Sequence, residues 1–134
     1  MISLSVLIRS PLPFLGNVTA GWPSPAEEEL GDTITFENWL LPNKESSCLV
    51  SVSTDAMRDA GILPGDTLIT ERHRTPANGD IVIAKIDGET IMRRYHSQNG
   101  HVVFIPANSS YKSIIPRESA TIIGVVMSVI RKYN

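Results

Sequence analysis

Cysteine is nearly absent from this chain. The lone thiol of Cys48 cannot close an internal disulfide, so the reading points to a reducing compartment, the cytoplasm. Long apolar runs are missing too, and none approaches the roughly 20 residues of a membrane span. Ile2 to Ile8 is apolar, and Val18-Thr19-Ala20 ends on small residues. No basic segment precedes them, however, and Arg9, Pro11 and Pro13 interrupt the run, so an extended arm fits better than a secretory signal. The chain also lacks βαβ alternation, long amphipathic helices, internal repeats and low-complexity tracts. His73, His96 and His101 match no zinc spacing, so neither metal nor cofactor is expected.

What is present is the material of one compact domain. The 134 residues are 42% hydrophobic and 19% charged, too apolar for a disordered chain and long enough to bury a core. Charge is uneven along them. Residues 1–70 carry nine acids and three bases, whereas 71–134 carry five acids and nine bases, for a net charge of −2. Arg72, Arg74, Lys85, Lys112 and Arg117 are scattered, and the isoelectric point near 5.9 is not that of a DNA-binding domain. Direct DNA binding is not expected.

Proline and acidic residues dominate the first 46 positions, which reads as an arm over 1–20 and a linker over 21–46. Glu27-Glu28-Glu29 is a solvated run, and Phe36 to Leu41 forms a helical turn ended by Pro42. Trp39 reads as core. From Ser47 the pattern turns to strands over 49–52, 67–70, 81–86, 90–95, 102–105 and 121–131. Asp87-Gly88 and Asn99-Gly100 carry the residues that two-residue hairpin turns demand, because both central positions need positive φ. Gly124 interrupts the last strand and marks a bulge. Residues 47–134 are therefore expected to form a mainly β domain of curved antiparallel sheets with one or two short helices.

Thr54 or Asp55 is positioned to cap a short helix through Ala60, which Gly61 would stop in a left-handed conformation. Position 56 would then lie at a helix N-terminus, where unpaired backbone N–H groups favour negative charge. Asp59, Asp66 and Asp80 read as turn and cap residues.

Three segments together resemble the LexA/UmuD-type self-cleaving serine peptidases. Ala20-Gly21-Trp22-Pro23-Ser24-Pro25-Ala26 is similar to that family's scissile region. Ser53 to Ile62, followed by Pro64-Gly65-Asp66, resembles its nucleophile segment. Asn78 to Ala84, followed by Asp87 to Arg94, resembles its general-base segment. Pro106-Ala107-Asn108-Ser109-Ser110-Tyr111 and Gly124-Val125-Val126 extend the match. Only 20 residues precede the matching Ala20-Gly21 bond, too few for a helix-turn-helix domain, which favours the UmuD-like branch.

The resemblance implies a serine–lysine dyad, with a buried lysine of depressed pKa taking the serine proton. Both positions differ here. The nucleophile position is Ala56, and the base position is Arg93, whose guanidinium cannot serve as a neutral base. Arg94 points to the opposite face of its strand, and Ser53 is expected still to lie within the strand before Ala56, so neither rescues the dyad. By the same resemblance the backbone N–H groups of Asp55 and Ala56 form the oxyanion hole. Trp22 either helps seat the arm or makes an ordinary packing contact, and Met57 either lines the cleft or belongs to the core.

What the resemblance implies for function is an accessory subunit of an error-prone translesion DNA polymerase in the bacterial SOS response. Such a protein is a homodimer whose C-terminal strands contribute to the interface. RecA–single-stranded-DNA filaments stimulate its cleavage, here at Ala20-Gly21, and the product joins a Y-family polymerase of the UmuC kind. This chain would be the uncleaved, inactive form. The alternative is a natural pseudo-peptidase that regulates an active paralogue. A substituted precursor and a natural pseudo-peptidase would read alike in sequence.

Overall fold

The computed structural model describes residues 11–14 and 32–134. Ala20, Gly21, Trp22 and the Glu27–Glu29 run lie outside the described residues. The chain divides into two compact units, 1–44 and 45–134.

In the first unit, β1 (Pro11–Phe14) pairs antiparallel with β2 (Asp32–Thr35), which leads straight into helix α1 (Phe36–Leu40). The Thr35 hydroxyl caps this helix by accepting from the Asn38 amide at 3.2 Å, and Leu41 closes it through a bond to the Glu37 carbonyl. Pro42 follows, as expected of a residue that cannot continue a helix. One expectation fails here. Trp39 is 64% exposed and meets only the ring of Phe36 among described aromatic partners, at 6.4 Å between centroids. A five-residue helix with no buried residue has no apolar face to put it on.

The second unit is mostly β. Its six-stranded antiparallel sheet has the order β3 (Ser47–Ser51), β4 (Thr67–Glu71), β8 (Ala120–Ile130), β5 (Ile81–Ile86), β6 (Glu89–Gln98), β7 (His101–Ile105). The β5–β6 hairpin turns at Asp87 (φ 49°) and Gly88 (φ 89°), and the β6–β7 hairpin turns at Asn99 (φ 53°) and Gly100 (φ 78°). Positive φ at both centres is the turn whose twist matches that of paired strands. The last strand, β8, is bulged twice. Its pairing slips opposite Ile83/Ala84 on one side and opposite Ile69/Thr70 on the other, and bulges bend a strand.

The sheet buries side chains on both faces. One cluster joins Val52, Met57, Ile62, Leu68, Ile83 and Met92; the other joins Val82, Ala84, Ile86, Phe104 and Val125. This follows from near-continuous apolar runs such as Ile81 to Ala84, which serve two interiors rather than one.

Polar ties fasten the loops. The Asp87 carboxylate accepts from the amides of Arg117, Glu118 and Ser119 at 3.0, 2.8 and 3.0 Å, pinning the loop before β8 to the first hairpin. Asp66, in the Pro64-Gly65 turn, is only 2% exposed. Its carboxylate takes a two-pronged bond from Arg131 at 2.7 Å each and a third from the Leu63 amide at 2.8 Å. These bonds outweigh burial and hold its pKa at about 2, below the usual 3.8. A depressed carboxylate contributes stability above its unfolded pKa and loses it as pH falls through the folded one. Asp66→Asn is therefore expected to cost on the order of 2 kcal/mol at pH 7, allowing for the partial exposure of Arg131. In urea titrations the gap to the parent should shrink from about pH 4 and close near pH 2. A gap independent of pH would disprove this role.

Candidate functional site

After β3 the chain leaves the sheet and wraps through Ser53-Thr54-Asp55 into a short turn. The expected helix over this segment is only a three-residue 3-10 turn, Arg58–Ala60. Gly61 stops it in the left-handed region at φ 86°, as expected. Capping differs from expectation. Thr54 does not cap a helix; its hydroxyl accepts from the Ala56 amide at 3.2 Å, and the Asp55 carbonyl accepts from Arg58 N at 3.1 Å. Three residues of 3-10 turn supply no useful dipole at position 56, so the helix-terminus argument does not carry over. Ser53 also lies beyond the end of β3, not within it.

A second segment, Pro106 to Tyr111, clamps this turn. The Ala107 amide donates to the Ala56 carbonyl at 2.9 Å, and the Ala107 carbonyl accepts from Asp59 N at 2.7 Å. The Asn108 side chain donates to the Asp55 carbonyl at 2.9 Å, while its Oδ1 accepts from the Ser110 amide at 3.0 Å. Tyr111 donates its hydroxyl to Asp55 Oδ1 at 2.6 Å. Ala56 is thereby held with no exposed surface, and Met57 is fully buried in the core cluster with Val52, Ile62 and Leu68.

Arg93 arrives from the neighbouring strand. It stands opposite Val82 in the β5–β6 pair and is 7% exposed. Its guanidinium lies 5.2 Å from the centre of the Tyr111 ring, a cation–π arrangement, and Nη1 donates to the Met92 carbonyl at 2.7 Å. Its Nε is buried with no acceptor among the described residues. Desolvation pulls its pKa below the ordinary guanidinium value, against the opposing influence of Tyr111 and Glu89. The group remains a cation, because guanidinium starts so far above neutrality. Arg94, one residue on, bonds instead to the Gly79 carbonyl at 2.7 Å.

The structure thus connects the two positions of interest through one chain of contacts, Arg93 to Tyr111 to Asp55, the neighbour of Ala56. Asn108 and Tyr111 were legible in the sequence only as part of a motif; their role as a clamp is a property of the fold. Beside this network lies a cleft of about 240 Å³, between the Val50–Thr54 segment and the Glu89–Arg93 stretch of β6. Of the described residues lining it, only Glu89 and Arg93 carry charged side chains, and no lysine, histidine or cysteine is among them. An oxyanion at the Asp55 and Ala56 amides would have to displace the Thr54 hydroxyl. Among the described residues no three His, Cys, Asp or Glu side chains converge as metal ligands, and no helix is long and apolar enough to cross a membrane.

A single antiparallel sheet whose β3 exit and β6 flank a narrow cleft defines the class: a mostly β domain of the LexA/UmuD C-terminal type. The chain belongs to the Peptidase S24-like family, whose model matches residues 13–127. It is 39% identical over 124 residues to the LexA repressor of Carboxydothermus hydrogenoformans, covering 91% of this chain and 60% of that protein. The LexA repressor of Clostridium novyi is 36% identical, with 91% and 60% covered. That of Streptomyces coelicolor is 38% identical, with 92% and 52% covered. The chain therefore spans little more than half the length of these relatives, which are named as repressors and not as UmuD proteins.

Proposed function

We propose that this chain is a non-cleaving member of its family that works as a binding module, in the role of an accessory subunit to an error-prone translesion polymerase of the SOS response. The observation that carries the reading is the pairing of a fully buried Ala56 with a buried guanidinium at Arg93. No described residue lining the adjoining cleft offers a neutral base. A fold kept without its chemistry keeps its surfaces. Ala20-Gly21-Trp22-Pro23-Ser24-Pro25-Ala26 resembles the scissile region of the UmuD-like branch, and Ile123, Met127 and Val129 on β8 leave apolar surface suited to a homodimer. The partners are then a second copy, the RecA–single-stranded-DNA filament and a UmuC-like Y-family polymerase subunit.

Intact mass tests the first part. Incubated at mildly alkaline pH with RecA filaments, the chain should keep its 14.7 kDa mass; a fragment beginning at Gly21 overturns the reading. Size-exclusion chromatography with a purified Y-family polymerase subunit tests the second. Co-elution is expected, and separate elution removes the accessory role. The names of the relatives favour a second reading, regulation of a LexA-like repressor by mixed pairing. Mixed with an active homologue, the chain would then change that homologue's cleavage rate or be cut by it at Ala20-Gly21.

A further inference from the structure

A charge taken out of water is held in a fold only where partners replace its hydration. Arg93 is incompletely provided for. Its side chain is more than nine-tenths buried, its Nε finds no acceptor, and among the described residues no carboxylate pairs with it. The Met92 carbonyl and the face of Tyr111 meet part of the need. The carboxylate of Asp55 stands one group further off, engaged by the Tyr111 hydroxyl.

The same residue lines the 240 Å³ cleft, whose walls carry the hydroxyls of Ser51, Ser53, Thr54 and Thr90. That volume lies below the range of pockets enclosing drug-sized ligands and suits one or two residues of a peptide. Backbone is available there as well. Strand β7 pairs with β6 only from Arg94 onward, so among the described residues Glu89 to Arg93 has a strand neighbour on one edge alone. An extended segment laid along it can bond to main chain, with its side chains or its end reaching the cleft.

We propose that Arg93 makes this cleft a carboxylate site: a peptide lies along Glu89–Arg93 and presents one carboxylate to the buried guanidinium. The proposal rests on the reading of the chain as a binding module and names the chemistry of what it binds. Arginine suits the task because its planar fork matches a carboxylate with two parallel bonds. A phosphate fits less well. The described residues of the cleft offer one cation, and Glu89, exposed among them, adds a negative charge that a dianion would meet more strongly.

The test uses the full chain, ¹⁵N-labelled, titrated with three probes: acetyl-Ala-Ala-Ala with a free C-terminal carboxylate, the same peptide as its amide, and acetyl-Ala-Glu-Ala amide. At least one carboxylate peptide should bind about tenfold or more tighter than acetyl-Ala-Ala-Ala amide and shift the Arg93 Nε–H resonance. Which carboxylate peptide wins tells a chain terminus from an acidic side chain. Arg93→Gln should erase the preference, with the backbone spectrum reporting that the fold is kept. Arg93→Lys, which retains the charge, should lower the preference several-fold without erasing it. Equal binding of the three peptides, no binding, or a preference untouched by either substitution overturns the proposal. Its failure is separable from that of the parent reading. A chain that cleaves itself yet prefers carboxylates keeps the site and loses the non-cleaving role, and an uncut chain without the preference does the reverse.

Discussion

Ala56→Ser alone and Arg93→Lys alone are each expected to leave the chain uncut, whereas the two together release a fragment beginning at Gly21. A serine at 56 has no group to take its proton, because guanidinium stays charged at any working pH. A lysine at 93 has nothing to activate while 56 is alanine. Groups that act as one unit show this all-or-none pattern, so the double variant should exceed either single one by about a thousandfold or more. The site favours the lysine. Burial already pulls the Arg93 guanidinium below its ordinary pKa, and an amine in the same place yields more readily to desolvation. Cleavage should therefore rise with pH as that amine loses its proton. Intact mass followed over hours on the four proteins gives the result. Cutting by a single variant, or an uncut double variant, would sink the assignment of these two positions.

Some of this was legible in the sequence because backbone chemistry leaves few choices. Asp87-Gly88 and Asn99-Gly100 could do little else than turn hairpins, and the structure has both in positive φ. The bulge in β8 was announced by Gly124. The Pro-rich start was harder to read. Pro11 and Pro13 sit two apart in β1, so both missing donors fall on one edge, and Leu12 and Phe14 remain to pair with β2. Residues 54–60 misled in another way, since Thr54 and Asp55 are cap residues by type. Here the Asp55 side chain turns to Tyr111, 56 residues away, and the turn tightens to three residues. The contact between Arg93 and Tyr111 had no local signal, because it depends on how the 106–111 segment packs against β6 and the turn.

Gly124→Ala is expected to cost about 3 kcal/mol, near the upper end for an overpacked core. The reason is distance, not backbone freedom, since Gly124 has no positive φ. A Cβ there would stand 2.5 Å from Thr70 Cγ2 and 3.1 Å from the Glu71 carbonyl oxygen. Gly124 adjoins Val125, which pairs with Glu71 at the end of the β4–β8 ladder. Thr70 is fully buried and its hydroxyl has no partner, so its methyl has no solvent to swing into. Removing that methyl should relieve most of the clash. Thr70→Ser alone is expected to cost about 1 kcal/mol, and the pair should come out about 1 to 2 kcal/mol better than the sum of the singles. What remains is the approach to the Glu71 carbonyl, which no side-chain change can remove. Urea midpoints at constant slope measure all four terms. Additivity within about 0.5 kcal/mol would mean that Thr70 is not the obstacle, and that the cost of a side chain at 124 is carried by the β4 backbone.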